Sequence, residues 1–383
     1  MISITEGKEE RSGRIRSLDV LKGAAIIGVV MAHIVLVPNE GEGQYNRSLG
    51  ELFYAALPMF IVITGYFYRP DRGILENIKR RLVPMIIMFV LLTISLNLIM
   101  CGYMMLLGYS IDTGAIMGNI GQMLIGKGCF EDLYGMVFEG EMILGPYEVT
   151  YPFYFFQILI VGYLIFIFLV DYVITDWRKT LVAAIALVSC TVLYMEFIHL
   201  QLPMLAQLGP LVAAFLLIGA FMARYNVVQY IETGYHEKRY WIYFALTLVT
   251  ALAMAILLPT HMSLIYSEFG AYGGWSAYSF VTTSLSCGIL LMFLAVFVSK
   301  VRYVSDVLEK IGRDCVWIFL LHMFIAKLLI APFVTISTDR WFPIDSIPVA
   351  IVLVVLTIIV IMILIELNRL ALSRIKGSDQ QTL

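Results

Sequence analysis

RSLDVLKGAAIIGVVMAH, residues 16–33, begins with three charged side chains and continues as an apolar run that carries a histidine. Ten uncharged residues separate Lys22 from His33, which is typical of the first transmembrane helix of a polytopic protein. At 100° per residue, the two side chains return to within roughly 20° of each other, about 16 Å apart along the helix axis. Asp19 and Lys22 are three residues apart, so their side chains are neighbours. An ionisable group at membrane depth indicates a functional site.

The composition is that of a protein embedded in lipid. Of the 383 residues, 60% are hydrophobic and 14% are charged, whereas soluble domains are about half apolar and a quarter charged. The net charge of −2 favours neither nucleic acid nor an acidic ligand. The five cysteines show no CxxC spacing, and Glu196 and His199, which have metal-ligand spacing, have no second copy. We therefore expect an integral-membrane protein with no metal site and no nucleic-acid partner.

Ten apolar runs are long enough to span a bilayer. They lie near 17–37, 50–68, 82–107, 151–170, 179–199, 204–223, 240–259, 277–299, 311–333 and 346–367. With the N-terminus in the cytoplasm, 22 of the 26 Lys and Arg residues fall in cytoplasmic segments or at their membrane edge, as the positive-inside rule requires. The sequence predicts an all-α, polytopic transmembrane bundle of about ten helices in the cell membrane, with both termini cytoplasmic. Its parts are a basic tail at 1–16, a transmembrane domain at 17–370 and a second tail at 371–383.

The predicted outer loops combine aromatic and acidic side chains. The loop at 108–150 is acidic and rich in glycine, and those at 259–276 and 332–347 interleave Tyr and Trp with carboxylates. This mixture suits a polar, ring-shaped ligand such as a sugar. It equally suits aromatic anchoring at the membrane interface.

The first helix carries the most specific motif. A basic residue, ten spacer residues and a histidine, with Asp19 and Gly23 flanking the basic position, resemble the first-helix signature of the acyltransferase-3 family of membrane-bound acyltransferases. Lys22 stands where that family more often has Arg. The resemblance implies that His33 is the essential catalytic residue and that Lys22, with Asp19, orients the acyl donor. A neutral imidazole that titrates near working pH can take a proton from an acceptor hydroxyl.

Three further segments resemble motifs of that family, in the same order. The second apolar run ends in a hydroxyl residue, Gly and Tyr66, which implies a substrate contact at the tyrosine. Arg80 and Arg81 precede a proline and imply a cytoplasmic site for the phosphates of coenzyme A, for which arginine forks are well shaped. The ninth run resembles a late motif in which a glycine is followed by a helix ending in a histidine, here His322, which implies a second substrate-binding residue.

The resemblance covers nearly the whole chain and implies a reaction. An acyl group, acetyl in the simplest case, would pass from cytoplasmic acyl-CoA to a hydroxyl of an extracytoplasmic cell-envelope glycan or lipid-linked sugar. Acetyl-CoA or another acyl-CoA would then be a co-substrate, and no cofactor would be bound permanently.

Each residue also has a simpler interpretation. A histidine in a membrane helix can serve packing alone, Lys22 can extend to the inner headgroups, and the basic residues at 79–81 can be an ordinary positive-inside cluster. A second class of function is also open, a proton-coupled transporter or flippase for an amino acid or glycan precursor. Such a carrier would use the intramembrane series Lys22, His33, His322 and Lys327 equally well.

Overall fold

The structure, a computed structural model, is helical almost throughout. It describes residues 15–31, 56–106, 117, 120–121, 124–125, 137–138, 141–142, 153–198, 200, 202–257, 276–337 and 347–379. Within these ranges, the strands are two-residue segments, β1 (Val137–Phe138) and β2 (Glu141–Met142), which pair antiparallel. His33 and large parts of the three predicted outer loops lie outside the described residues.

Thirteen α-helices lie along the described residues. They are α1 (Arg16–Met31), α2 (Ala56–Tyr66), α3 (Gly73–Asn77), α4 (Val83–Leu106), α5 (Tyr154–Val173), α6 (Trp177–Phe197), α7 (Gly209–Arg224), α8 (Val227–Thr233), α9 (Lys238–Leu257), α10 (Ser276–Val298), α11 (Arg302–Arg313), α12 (Cys315–Ser337) and α13 (Ile347–Asp379). A π-helical turn, Ile78–Leu82, joins α3 to α4 without a break. Short 3₁₀ turns cover Pro70–Arg72, Pro203–Leu208 and Gly234–His236.

Six of the described helical segments are long and apolar enough to cross a membrane, which confirms an all-helical protein with membrane-type helices. They are Pro70–Ile99, Tyr154–Val173, Trp177–Phe197, Pro203–Arg224, Tyr278–Val298 and Ile351–Ala371. Leu57–Tyr66 and Cys315–Ala326 are apolar but shorter. A described helix overlaps each of the ten predicted ranges. The number of ten spans and the cytoplasmic position of both termini stay predictions.

Helix α1 lies inside the bundle. Most of its side chains between Ser17 and Val30 are buried, and it packs against α2, α10, α11, α12 and α13. Small residues at Gly23, Ala25 and Gly28 permit this, because membrane helices associate closely where side chains are small. The helix that carries the predicted catalytic motif is therefore also the helix that the bundle surrounds.

Helices α2 and α7 form a second close crossing. A Cβ atom on Gly65 would lie 2.1 Å from the carbonyl oxygen of Leu216, and one on Gly219 would lie 1.9 Å from that of Val62. The two backbones are therefore in direct contact. The segment around α7 is 72% buried, whereas those of α6 and α13 are 28% buried, so α7 belongs to the centre and the other two to the periphery.

Two predicted boundaries are wrong in detail. The ninth range begins at 311, but α11 continues to Arg313 and α12 begins only at Cys315. The break lies at Asp314, whose backbone (φ −103°, ψ 11°) leaves the helical region. The third range begins at 82, but the helix is continuous from Gly73, so the basic residues at 79–81 lie on the same helix as the apolar run that follows them.

Candidate active site

Lys22 and Asp19 form an ion pair on the first turns of α1. Lys22 Nζ lies 2.5 Å from Asp19 Oδ1, and the side chains are 20% and 6% exposed respectively. The three-residue spacing places both groups on one face of the helix, and a carboxylate in the first turn also favours the helix dipole. A buried charge is tolerated where it is paired, so each group fixes the position of the other.

The backbone of α11 touches α1 at this ion pair. A Cβ atom on Gly312 would lie 1.8 Å from the carbonyl oxygen of Asp19 and 2.9 Å from the amide nitrogen of Gly23. A Cβ atom on Gly23 would in turn lie 2.1 Å from the carbonyl oxygen of Leu308. Glycine at both positions lets the two helices meet backbone to backbone. The height and rotation of Asp19 therefore depend on where α11 lies.

Arg16 holds the N-terminal end of α1 against the same helix. Its Nε donates to Glu309 Oε2 at 3.0 Å, and its Nη2 donates to Ser305 Oγ at 2.9 Å. Nη2 also contacts the carboxylate of Asp306. Because Arg16 lies one turn before Asp19, these contacts and the glycine crossing fix α1 at two successive levels.

The junction between α11 and α12 also lies near the ion pair. Asp314 is buried, and its Oδ1 accepts a hydrogen bond from Arg369 Nη2 at 2.5 Å. The next residue, Cys315, is buried and lies within electrostatic range of Lys22 and Asp19. Helices α1, α11 and α12 thus converge on the Lys22–Asp19 pair.

His322 lies two turns further along α12 and is fully buried. Its Nδ1 is 2.7 Å from the carbonyl oxygen of Phe319 and 3.2 Å from that of Ile318. A carbonyl oxygen only accepts hydrogen bonds, so Nδ1 of the neutral ring carries the proton and Nε2 carries the lone pair. The ring is thereby oriented by its own helix, about 10 Å along the axis from Cys315.

Arg80, Arg81 and Tyr66 lie around the C-terminal end of α2. Arg81 donates to the carbonyl oxygens of Thr64, at 3.4 Å, and Phe67, where a positive charge compensates the helix dipole. Arg80 forms an exposed ion pair with Glu76 one turn earlier. Tyr66 is buried, with its ring edge-on to Phe67 at 5.4 Å. Of the predicted donor-binding residues, Arg81 therefore supports the fold, while Arg80 faces the surface.

A family model described as an acyltransferase domain matches residues 15–366. The chain belongs to the acyltransferase-3 family. The resemblance read from the motifs of α1 and α12 is thus confirmed, and with the apolar helices it supports a membrane acyltransferase. No curated protein matches the chain, and no solved structure matches it either.

The roles that the acyltransferase-3 family implies for single residues are only partly visible. The structure brings Lys22 and Asp19 together as expected, and Arg80 and Arg81 contact Glu76 and the end of α2. The predicted base, His33, lies outside the described residues, so its alignment with Lys22 stays a prediction.

The sequence reasoning missed the contribution of α11. Arg302, Lys310 and Arg313 were predicted to lie in a cytoplasmic segment and Gly312 to begin the late motif, but no contact between this segment and α1 was predicted. The signal was present, because apolar Val304, Val307 and Ile311 recur at helical spacing among charged residues, which is typical of an amphipathic helix. The backbone contact of Gly312 with Asp19 has no comparable local signal.

Proposed function

We propose that this acyltransferase moves an acetyl or other short acyl group from cytoplasmic acyl-CoA to a hydroxyl of an extracytoplasmic envelope glycan or lipid-linked sugar. The observation that carries the proposal is the Lys22–Asp19 pair. It is a partly exposed ammonium, oriented by a buried carboxylate, on the helix that holds the family's first motif. Surface snorkelling would not require a buried partner of this kind.

Lys22 supplies positive charge where the donor reacts. An ammonium has three N–H donors, and Asp19 Oδ1 lies in hydrogen-bonding range of Nζ, which sets the direction of the other two. Fixed donors aimed at developing negative charge are among the strongest contributions to catalysis. In this proposal they stabilise the oxyanion that forms when the thioester carbonyl is attacked, or a phosphate of the donor before attack.

His33 completes the reaction as general base. The acceptor hydroxyl oxygen attacks the thioester carbonyl carbon and forms a C–O bond, while its proton passes to the imidazole. The tetrahedral intermediate then collapses with cleavage of the C–S bond, and the coenzyme A sulfur leaves as a thiol with the proton from the imidazolium. A base of this kind contributes about 10²- to 10⁴-fold to the rate.

Binding is assigned to the residues around this centre. Arg80 faces the surface with its neighbour Lys79 and would contact the donor phosphates, while Arg81 adds positive charge at the end of α2. His322, whose ring is oriented by the carbonyl oxygens of Phe319 and Ile318, would contact the acceptor. Tyr66 would line the substrate cavity. These residues lie on other helices than Lys22, so sequence spacing does not place them beside it. Their convergence on one substrate is part of the proposal.

Labelled acetyl-CoA added to membrane vesicles that contain the full chain tests the proposal. We expect release of free coenzyme A and transfer of label to envelope glycan, both measured by mass spectrometry. His33→Ala should lower transfer by at least about 10²-fold and leave acetyl-CoA binding largely intact. Lys22→Met should lower transfer as strongly, whereas Lys22→Arg, the family's commoner residue, should retain most of it.

Lys179→Met is the matched control. Lys179 is an exposed lysine on α6 whose ammonium lies 4.8 Å from the ring centre of Tyr172, remote in sequence from every proposed role. It should transfer label like the unmodified protein. An intact thioester in all vesicles, with a labelled solute moved across the membrane instead, would contradict acyl transfer and support the carrier alternative.

A further inference from the structure

A chain of four charged side chains joins α13 to the end of α11. Lys310 Nζ lies 3.2 Å from Glu366 Oε1, and the same carboxylate oxygen lies 3.3 Å from Arg369 Nη1. The other terminal nitrogen of Arg369, Nη2, donates to Asp314 Oδ1 at 2.5 Å. The charges therefore alternate in sign along the chain, and the guanidinium of Arg369 bridges two carboxylates.

The two ends of this charge chain lie on either side of Gly312 in the sequence. Lys310 precedes the glycine and Asp314 follows it, each at a distance of two residues. At Gly312, the backbone of α11 meets the carbonyl oxygen of Asp19 on α1. Helix α13 therefore holds α11 both before and after the contact on which the position of the Lys22–Asp19 pair depends.

Asp314 is the residue at which α11 ends and α12 begins. Its amide donates to the carbonyl oxygen of Ile311 at 3.1 Å, and its own carbonyl oxygen accepts from the amide of Ile318 at 3.1 Å. Its side chain is 4% exposed, and Oδ2 has no hydrogen-bond partner among the described residues. The contact with Arg369 therefore anchors a buried carboxylate at the joint between the two helices.

Stability alone explains this arrangement poorly. The side chains of Lys310, Glu366 and Arg369 are 50%, 43% and 51% exposed, and ion pairs between exposed groups contribute little to stability. Burial of a carboxylate costs free energy that its partner offsets only in part. The best-attested use of such a pair is to fix the register of two elements, which here are α13 and residues 310–314.

We propose that Arg369, with Glu366 and Asp314, is a positioning residue for acyl transfer. It contacts neither the donor nor the acceptor. It holds α11 in the register in which Gly312 touches α1, and this contact keeps Asp19 and its partner Lys22 in place. The role rests on the proposed function and adds to it a requirement for the last helix of the bundle.

A double-mutant cycle of transfer rates distinguishes positioning from general destabilisation. Per mole of folded protein, Arg369→Gln should lower acetyl transfer about tenfold, which is less than the roughly 10²-fold cost of a full 1 Å displacement, because the Lys310–Glu366 pair remains. In a Lys22→Met background, the same change should lower the residual transfer by less than about twofold, because the group that Arg369 positions is already absent. A residue that only stabilises the fold would lower transfer by the same factor in both backgrounds.

A second variant and a matched control accompany this cycle. Arg369→Lys keeps the charge but lacks the planar fork that bridges two carboxylates, so transfer should fall about threefold; it also serves as the test if Arg369→Gln fails to fold. Arg178→Gln makes the same exchange at an exposed arginine of α6, whose guanidinium carbon lies 5.4 Å from the ring centre of Trp177. It should transfer label like the unmodified protein.

Hydrogen exchange of backbone amides gives a readout that does not depend on the reaction. Arg369→Gln should speed exchange in residues 302–314 and in the first turns of α1, whereas Arg178→Gln should not. Unchanged exchange, or an equal loss of transfer with and without Lys22, would overturn the positioning role and leave the proposed function intact. Transfer that is absent from the unmodified protein, or unaffected by Lys22→Met, would overturn the proposed function and the positioning role with it.

Discussion

Gly312→Ala tests whether the α1–α11 crossing positions the Lys22–Asp19 pair. The new Cβ would start 1.8 Å from the carbonyl oxygen of Asp19 and must move by about 1.6 Å to reach ordinary contact at 3.4 Å. Overpacking costs about 1–3 kcal/mol, and the upper end applies because the obstacle is backbone. Alanine is more favourable than glycine in a helix by about 1 kcal/mol, which offsets part of this cost. The unfolding free energy should therefore fall by about 2 kcal/mol.

The assay is thermal unfolding of the purified protein together with acyl transfer in vesicles. A loss of this size lowers the unfolding midpoint by about 4 °C, at the low end of the shift per kcal/mol because the chain is long. A displacement of more than 1 Å at a reacting group can cost about 10²-fold in rate. We therefore expect transfer to fall far more than the small stability loss explains.

Gly102→Ala is the matched control for that experiment. Gly102 also lies within a helix, α4, but a Cβ there meets nothing within 4 Å. It should keep full transfer and unfold at the same temperature or slightly higher. If Gly312→Ala behaves like Gly102→Ala, the backbone contact does not position the ion pair and the reasoning is refuted.

Three further predictions concern charged groups. Asp19→Asn should destabilise the protein by about 1–2 kcal/mol, less than a fully buried pair because Lys22 is partly exposed, and adding Lys22→Met should recover part of this in a double-mutant cycle of unfolding free energies. Arg81→Gln should lower the unfolding free energy by about 1.5–3 kcal/mol, because it loses charged hydrogen bonds. Arg80→Gln should unfold like the unmodified protein but bind acetyl-CoA more weakly, as measured by calorimetry. A larger loss of stability with Arg80→Gln than with Arg81→Gln would contradict the capping role of Arg81. Arg369→Gln removes the hydrogen bond to the buried carboxylate of Asp314 at the α11–α12 junction, so the unfolding free energy, measured in the same way, should fall by about 2 kcal/mol.

The helical class and the local ion pair were accessible from sequence because both depend on short-range physics. Apolar runs of about 20 residues have few alternatives to a membrane helix, and a three-residue spacing places Asp19 beside Lys22 in any helix. The family assignment followed from the same stretch. For these features, neighbours along the chain are also neighbours in space.

The remaining features depend on contacts between distant segments. The hydrogen bond from Arg16 to Ser305 joins residues 289 positions apart, and no local sequence pattern predicts it. Arg81 was interpreted as a ligand for phosphates, but the proximity of the α2 carbonyls, which determines its contacts, is a tertiary fact. The break at Asp314 was missed because the residues on either side continue a helical pattern.

The crossing of α2 and α7 constrains how this protein can evolve. The atoms that a side chain at Gly65 or Gly219 would strike are the carbonyl oxygens of Leu216 and Val62, which every amino acid possesses. No replacement at 216 or 62 can therefore make room. A smaller side chain at the partner position, which often compensates for a larger one, cannot do so here. Variation at either glycine would require both helices to shift as whole bodies, so we expect relatives that retain this geometry to keep both.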